Sequence, residues 1–247
     1  MTVLCYHSVD PEWVSPLAVR PAEFEAQCRW LAACGRVVDL ADHLASGRSA
    51  ASRQLVLTFD DGFRELDEHV FPLLRRYGLP ATVFVVAQTL TPQGRPVDWV
   101  DTPPPWPLQT LTLDQVLAAR EAGVRIASHS WAHHDLTTLS QAECTRDLRD
   151  SRELLEDLLG EPVPYLAYPR GRHNEVVRRA ADQAGFTASF SLPERKEPDG
   201  PQAVPRVGVY PGNGVSGLRV KTARPYLAVR HSGVYPLLQR LARAASR

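Results

Sequence analysis

Short apolar runs alternate with amphipathic stretches along most of this chain, and that alternation restricts the folds open to it. Residues 3–6, 55–59, 81–87, 124–128, 165–168, 187–192 and 203–209 are too short for helices and rich in β-branched or aromatic side chains. Residues 21–33, 40–45, 63–77, 112–122, 140–159 and 175–184 space their apolar positions as helices do. Pro21 suits a helix start, Gly35, Gly78, Gly123 and Gly185 suit helix ends, and Pro72 should kink or shorten the segment that holds it. Thr112 and the Ser140–Glu143 pair supply N-terminal caps. Repeated β/α units imply a mainly parallel sheet, and no linker divides residues 1–247 into separate domains. In such folds chemistry collects where strand ends meet the following loops. His7, Asp60, Asp61, His129 and Tyr168 all fall at such ends.

Asp60 and Asp61 stand in Thr58-Phe59-Asp60-Asp61-Gly62, directly after a buried-looking strand. Adjacent carboxylates raise each other's pKa, so a neighbouring cation is one way to make the pair tolerable. Taken alone, the pair reads equally well as a cap for the next helix. His129 and His133, four residues apart, share one face if their segment turns helically. A carboxylate and two imidazoles form a ligand set that leaves positions open for water and substrate.

These residues carry a family resemblance. Thr58-Phe59-Asp60-Asp61-Gly62 and His129-Ser130-x-x-His133 resemble the first two motifs of the polysaccharide deacetylases, the NodB-homology proteins of carbohydrate esterase family 4. Tyr168-Pro169-Arg170-Gly171 is similar to the third. The resemblance implies a distorted (β/α) barrel of about seven units and metal-dependent removal of acetyl groups from N-acetylglucosamine units. By motif position, Asp61, His129 and His133 would hold a divalent metal ion, most often zinc, with Asp60 as general base. The third motif, Tyr168-Pro169-Arg170, would meet the substrate, with the Arg170 backbone N–H placed to bind an oxyanion. Trp131, Tyr168, Trp99 and Trp106 are candidates for stacking on sugar rings, against the commoner reading of each as an aromatic packed in the core.

Two expected elements are missing. Ala167 stands where the family's base-orienting arginine is usual, and no late Leu-x-His motif supplies a general acid; His173 and His231 have the wrong surroundings for it. Leu4-Cys5-Tyr6-His7 and Pro205-Arg206 instead resemble a subgroup, the poly-N-acetylglucosamine and glycosyltransferase-associated deacetylases. That resemblance makes His7 the expected acid and Arg206 the expected partner of Asp60.

A formal net charge of +0 argues against a nucleic-acid binder held by bulk charge. Cys5, Cys28, Cys34 and Cys144 form no CxxC pair and read as free thiols. No signal segment and no apolar run of membrane-spanning length is evident, which favours a cytoplasmic setting. Residues 89–109, with six prolines, form a loop of the length found in lids and binding loops, or in disordered segments. Residues 218–247 carry no acidic side chain and read as a basic helical tail, packed on the barrel or lying peripherally on an anionic membrane. Three functions remain open to the sequence: a carbohydrate N-deacetylase, a hydrolase of another non-peptide amide on a small metabolite, and a sugar-binding module without catalysis.

Overall fold

The computed structural model describes residues 2–46, 54–193, 197–198, 200–230 and 232. Seven parallel strands close into a barrel, the architecture implied by the motifs. The first, β1 (Thr2–Tyr6), precedes two strands of a separate small sheet, β2 (Ser8–Val9) and β3 (Ala18–Val19), each too short to leave a periodic signal in the sequence. Helices α1 (Pro21–Cys34) and α2 (Leu40–Ala45) follow. Next comes β4 (Leu55–Phe59), whose five residues are all buried, as expected of a strand covered on both faces.

Pro72 limits helix length as expected. The predicted single helix is two, α3 (Glu65–His69) and α4 (Phe71–Tyr77), with Pro72 in the first turn of the second, where its missing N–H is harmless. Strand β5 (Ala81–Val85), helix α5 (Leu113–Glu121), strand β6 (Arg125–Ser128) and helix α6 (Gln141–Leu159) continue the pattern. Both predicted caps form: Thr112 with Gln115, and Ser140 with Glu143, each make a reciprocal capping box. The chain then runs through β7 (Tyr165–Ala167), α7 (Glu175–Gln183), β8 (Ala188–Ser191), β9 (Val204–Gly208), α8 (Val215–Lys221) and α9 (Arg224–Arg230).

Strand β1 closes the barrel, pairing with β4 on one side and β9 on the other. Val3, Val56, Phe84, Ala127, Phe190 and Val204 belong to one buried apolar cluster contributed by strands around the barrel. A larger cluster joins the strands to α1, α4 and α5. All four cysteines are free, three of them buried. Among the described residues no helix is long and apolar enough to cross a membrane. Residues 47–53, His231 and the residues beyond Ser232, most of the stretch expected as a basic tail, lie outside the described residues.

Candidate active site

Strand β4 delivers Asp60, whose backbone N–H donates to the Tyr6 carbonyl at 2.9 Å and so keeps the strand pairing going one step further. The chain then turns through two left-handed residues, Asp61 (φ 68°) and Gly62 (φ 63°). A Cβ on Gly62 would sit 3.0 Å from Val85 Cγ1, so glycine serves there for space as well as conformation. The turn sends the two adjacent carboxylates to different partners.

Asp60 faces β9. Arg206 Nη1 donates to Oδ1 at 2.6 Å and Nη2 to Oδ2 at 2.7 Å, and the arginine side chain is fully buried. The Cys5 thiol donates to Oδ2 at 3.4 Å. Burial, the largest single influence, pushes the Asp60 carboxyl up, but the charge and hydrogen bonds of Arg206, together with His129 and His7, hold it well below the usual carboxylate range. Arg206 thus reaches Asp60 from a different strand than the one that carries Ala167.

Asp61 faces β6. His129 continues that strand, its N–H donating to the Val85 carbonyl at 2.8 Å. The His129 ring bonds the Ala167 carbonyl through Nδ1 at 2.8 Å, which leaves Nε2 directed at Asp61 Oδ1, 3.7 Å away. His133 Nε2 lies 3.4 Å from the same oxygen. The segment between the histidines is not helical, contrary to the arrangement that their spacing suggested. Ser130 (φ 68°) and His133 (φ 56°) are left-handed, and side chains hold the loop: Ser128 Oγ accepts the Ser130 N–H, Ser130 Oγ the His133 N–H, and Asp147 the Trp131 N–H. Two sharp turns, rather than a helix face, bring the rings together at 4.9 Å between centroids.

The donor atoms of Asp61, His129 and His133 lie within 4.8 Å of one another, and all three residues are buried. Burial and the Asp60 charge push the Asp61 carboxyl up to about 8. Burial, then His129, pulls His133 down to about 2, and burial likewise lowers His129. Neutral imidazoles beside a carboxylate that lacks a counter-charge are the chemistry a divalent cation completes, and this nitrogen–oxygen set suits zinc. The residues present fit such an ion.

His7 opens onto the same pocket, and its donor atom lies within 4.8 Å of that of Asp60. Burial pulls the His7 ring down to about 4, against the raising effect of Asp60. Arg170 also borders the pocket, in a left-handed conformation (φ 57°) that swings its side chain toward Asp101 and the Trp99 carbonyl. Gly171 (φ 66°) follows it; a Cβ there would fall 2.4 Å from the Leu192 backbone nitrogen.

Three expected substrate contacts are absent from the pocket wall. Tyr168 is fully buried, its hydroxyl donating to the Gln202 carbonyl at 2.9 Å and its ring lying against His173. It comes one residue after β7 ends, where alternation of side chains turns it away from the pocket. Pro169 is buried in a single 3₁₀ turn. Trp131 is thrown aside by the Ser130 turn and packs on the outer core cluster. Trp99 does reach the pocket, but it is buried there, its indole N–H donating to Asp61 Oδ1 at 2.9 Å and its ring stacked on His133 with Arg95 over it. Trp106 remains on the exposed part of the loop. His173 is occupied by Glu197 and Arg178, and His134 lies 3.8 Å from Asp147, half exposed. Nothing in the sequence marked Trp99 as a partner of Asp61, because the contact crosses from an irregular loop.

The polysaccharide deacetylase family matches residues 47–189. The Bacillus subtilis protein YxkH is 26% identical over 218 residues, 86% of this chain and 72% of its own length. The poly-beta-1,6-N-acetyl-D-glucosamine N-deacetylase of Staphylococcus aureus (strain MRSA252) is 23% identical over 190 residues, 72% of this chain and 62% of that protein. The solved structure of Streptococcus pyogenes deacetylase PplD in complex with acetate shares the fold, with a TM-score of 0.76 and 23% identity over 90% of this chain and 98% of that one. The family match overlies the strands that present Asp60, Asp61, His129 and His133, and this chain belongs to the polysaccharide deacetylase family.

Proposed function

We propose that this protein is a metal-dependent hydrolase that removes N-acetyl groups from N-acetylglucosamine-type sugars in a glycan. The observation that carries the reading is the division of labour between adjacent residues: Asp60 is locked to Arg206, while Asp61 joins His129 and His133. A base and a ligand set, each buried and each separately fixed, stand side by side in one pocket. The substrate class rests on the S. aureus relative, whose name specifies poly-beta-1,6-N-acetyl-D-glucosamine.

A zinc-like ion held by Asp61, His129 and His133 would polarise the acetyl carbonyl and acidify water next to it. Asp60, ionised and kept off that ion by Arg206, takes the proton from the attacking water. His7, held neutral by burial and with a ring nitrogen within 4.8 Å of a carboxylate oxygen of Asp60, is placed to take up that proton through an intervening water and deliver it to the departing amine. The Arg170 backbone N–H, at the pocket's edge, is the candidate donor to the developing oxyanion. Acetate and a free amine are the products.

The test is acetate release from β-1,6-linked N-acetylglucosamine oligomers by zinc-loaded protein. Asp60→Asn should abolish release while zinc still binds. A zinc-loaded protein that releases no acetate from any N-acetylated glycan overturns the reading.

A further inference from the structure

Asp61 Oδ1 faces His129 Nε2 and His133 Nε2, and it accepts the indole N–H of Trp99 at 2.9 Å. The same indole lies nearly parallel to the His133 ring, 5.0 Å between centroids and 24° between planes. One side chain therefore touches two of the three candidate metal ligands. Trp99 is buried, although it comes from the irregular segment between Leu90 and Leu113.

That segment is fixed by its own residues, by the loop after β7 and by the loop between β2 and β3. Arg170 donates to the Trp99 carbonyl through Nη2 at 2.9 Å, and its guanidinium straddles the Asp101 carboxylate at 3.2 Å. Arg95 lies over the indole, 5.8 Å from its centroid, and pairs with Asp98 at 2.9 Å. Trp13 Nε1 donates to the Thr102 carbonyl at 2.9 Å, and the hydroxyls of Ser15 and Thr102 share a bond at 2.8 Å.

We propose that Trp99 is a positioning residue of the metal centre, and that Arg170 is the clamp that keeps it there. The inference rests on the reading of Asp61, His129 and His133 as metal ligands. A carboxylate oxygen carries two lone pairs. The indole N–H occupies one, which fixes the rotation of the carboxyl group and leaves the other toward the histidines. The donor is neutral, so it orients Asp61 without adding a charge that would compete with a cation, as an arginine or lysine would. Stacking fixes the plane of His133 in the same way. Packing alone would be met equally well by phenylalanine, which has no N–H to place.

Linkage then ties the strap to the ion: whatever holds residues 95–102 closed strengthens metal binding, and metal binding holds them closed. Arg170, in the motif position usual for an aromatic residue, acts here through its side chain on Trp99 and Asp101.

The test is zinc affinity of the metal-stripped protein, measured by competition with a chromophoric chelator. Trp99→Phe keeps the ring and loses the donor; it should weaken zinc roughly 10–100-fold, the usual cost of losing a ligand's supporting hydrogen bond. Replacing Trp99 with 3-benzothienylalanine, which keeps the indole shape and puts sulfur at the N–H, should weaken it by the same factor. Arg170→Ala should weaken zinc by a smaller factor, on the order of 3–10-fold. Amide exchange of residues 96–102 should slow on zinc addition in the wild type and much less in Trp99→Phe. Zinc binding within about twofold of wild type in both Trp99 variants, with circular dichroism unchanged, overturns the proposal. Asp61→Ala separates the two levels. If it binds zinc as tightly as wild type, the ligand reading fails and the proposal falls with it; if it loses zinc while Trp99→Phe does not, only the role of Trp99 fails.

Discussion

Arg206 on β9 places both terminal nitrogens on the carboxylate of Asp60 across the neighbouring strand β1, joining residues 146 positions apart in the chain. Both side chains are buried. Removing the arginine leaves a buried carboxylate with no counter-charge, a loss of about 3–5 kcal/mol for pairs of this kind. Arg206→Met should therefore lower stability by roughly that amount in urea unfolding. Its acetate-release activity should also lose its low-pH range. Burial alone raises the Asp60 pKa, so the acid limb of the pH–rate profile should move upward once the arginine is gone. An acid limb unchanged from wild type would show that Asp60 is not the base.

His7 can be tested through the leaving group. An amine needs a proton to depart, whereas the nitrophenolate of p-nitrophenyl acetate does not. His7→Gln should reduce turnover of the N-acetylated sugar by about 100-fold, the ordinary contribution of a general acid, and change ester hydrolysis little. Equal losses on both substrates would remove His7 from the role of acid.

Asp147 gives a pH-dependent stability with an unusual sign. Its side chain is 8% exposed, accepts the Trp131 N–H, and is pushed by burial from 3.8 up to about 6. Between those values the native state binds more proton than the unfolded chain. This contribution to stability is fully present below the unfolded pKa and declines as pH rises through about 6. An asparagine in its place would accept the same N–H and has nothing to ionise. Asp147→Asn should raise the midpoint of thermal unfolding at pH 7.5 by ~2–6 °C and leave it near wild type at pH 4. A gain equal at both pH values would show that ionisation is not its source.

Tyr168→Phe should leave kcat/KM within about twofold and lower stability by about 1–3 kcal/mol, since the Gln202 carbonyl loses its donor away from the pocket. A rise in KM without loss of stability would return Tyr168 to the substrate.

The strands were legible because each is a short, bounded apolar run, and Pro72 and the two capping boxes marked helix limits by local chemistry alone. The pairing of His129 with His133 was legible as spacing but not as geometry. Two left-handed residues, not a helical turn, make it, and neither Ser130 nor His133 advertises a positive φ. Tyr168 was open to a sugar-stacking and to a packing reading, because a place at a strand's end does not say which way the side chain turns, and the structure gives packing. Trp99 was out of reach for a different reason. Its partner lies 38 residues away, and no period runs through an irregular loop.

The seam that closes the barrel has a consequence for the order in which the protein is made. In a chain emerging from its N-terminus, β1, β4 and the two histidines are all made before Val204–Gly208. Until that last strand docks beside β1, Asp60 sits next to Asp61 without the cation that makes its charge tolerable in a dry interior. Arg206, on the strand that completes the closed barrel beside β1, supplies that charge. Closure of the barrel and completion of the Asp60–Arg206 pair therefore depend on the same strand, so a chain truncated before Arg206 lacks that pair even where Asp61, His129 and His133 are all present.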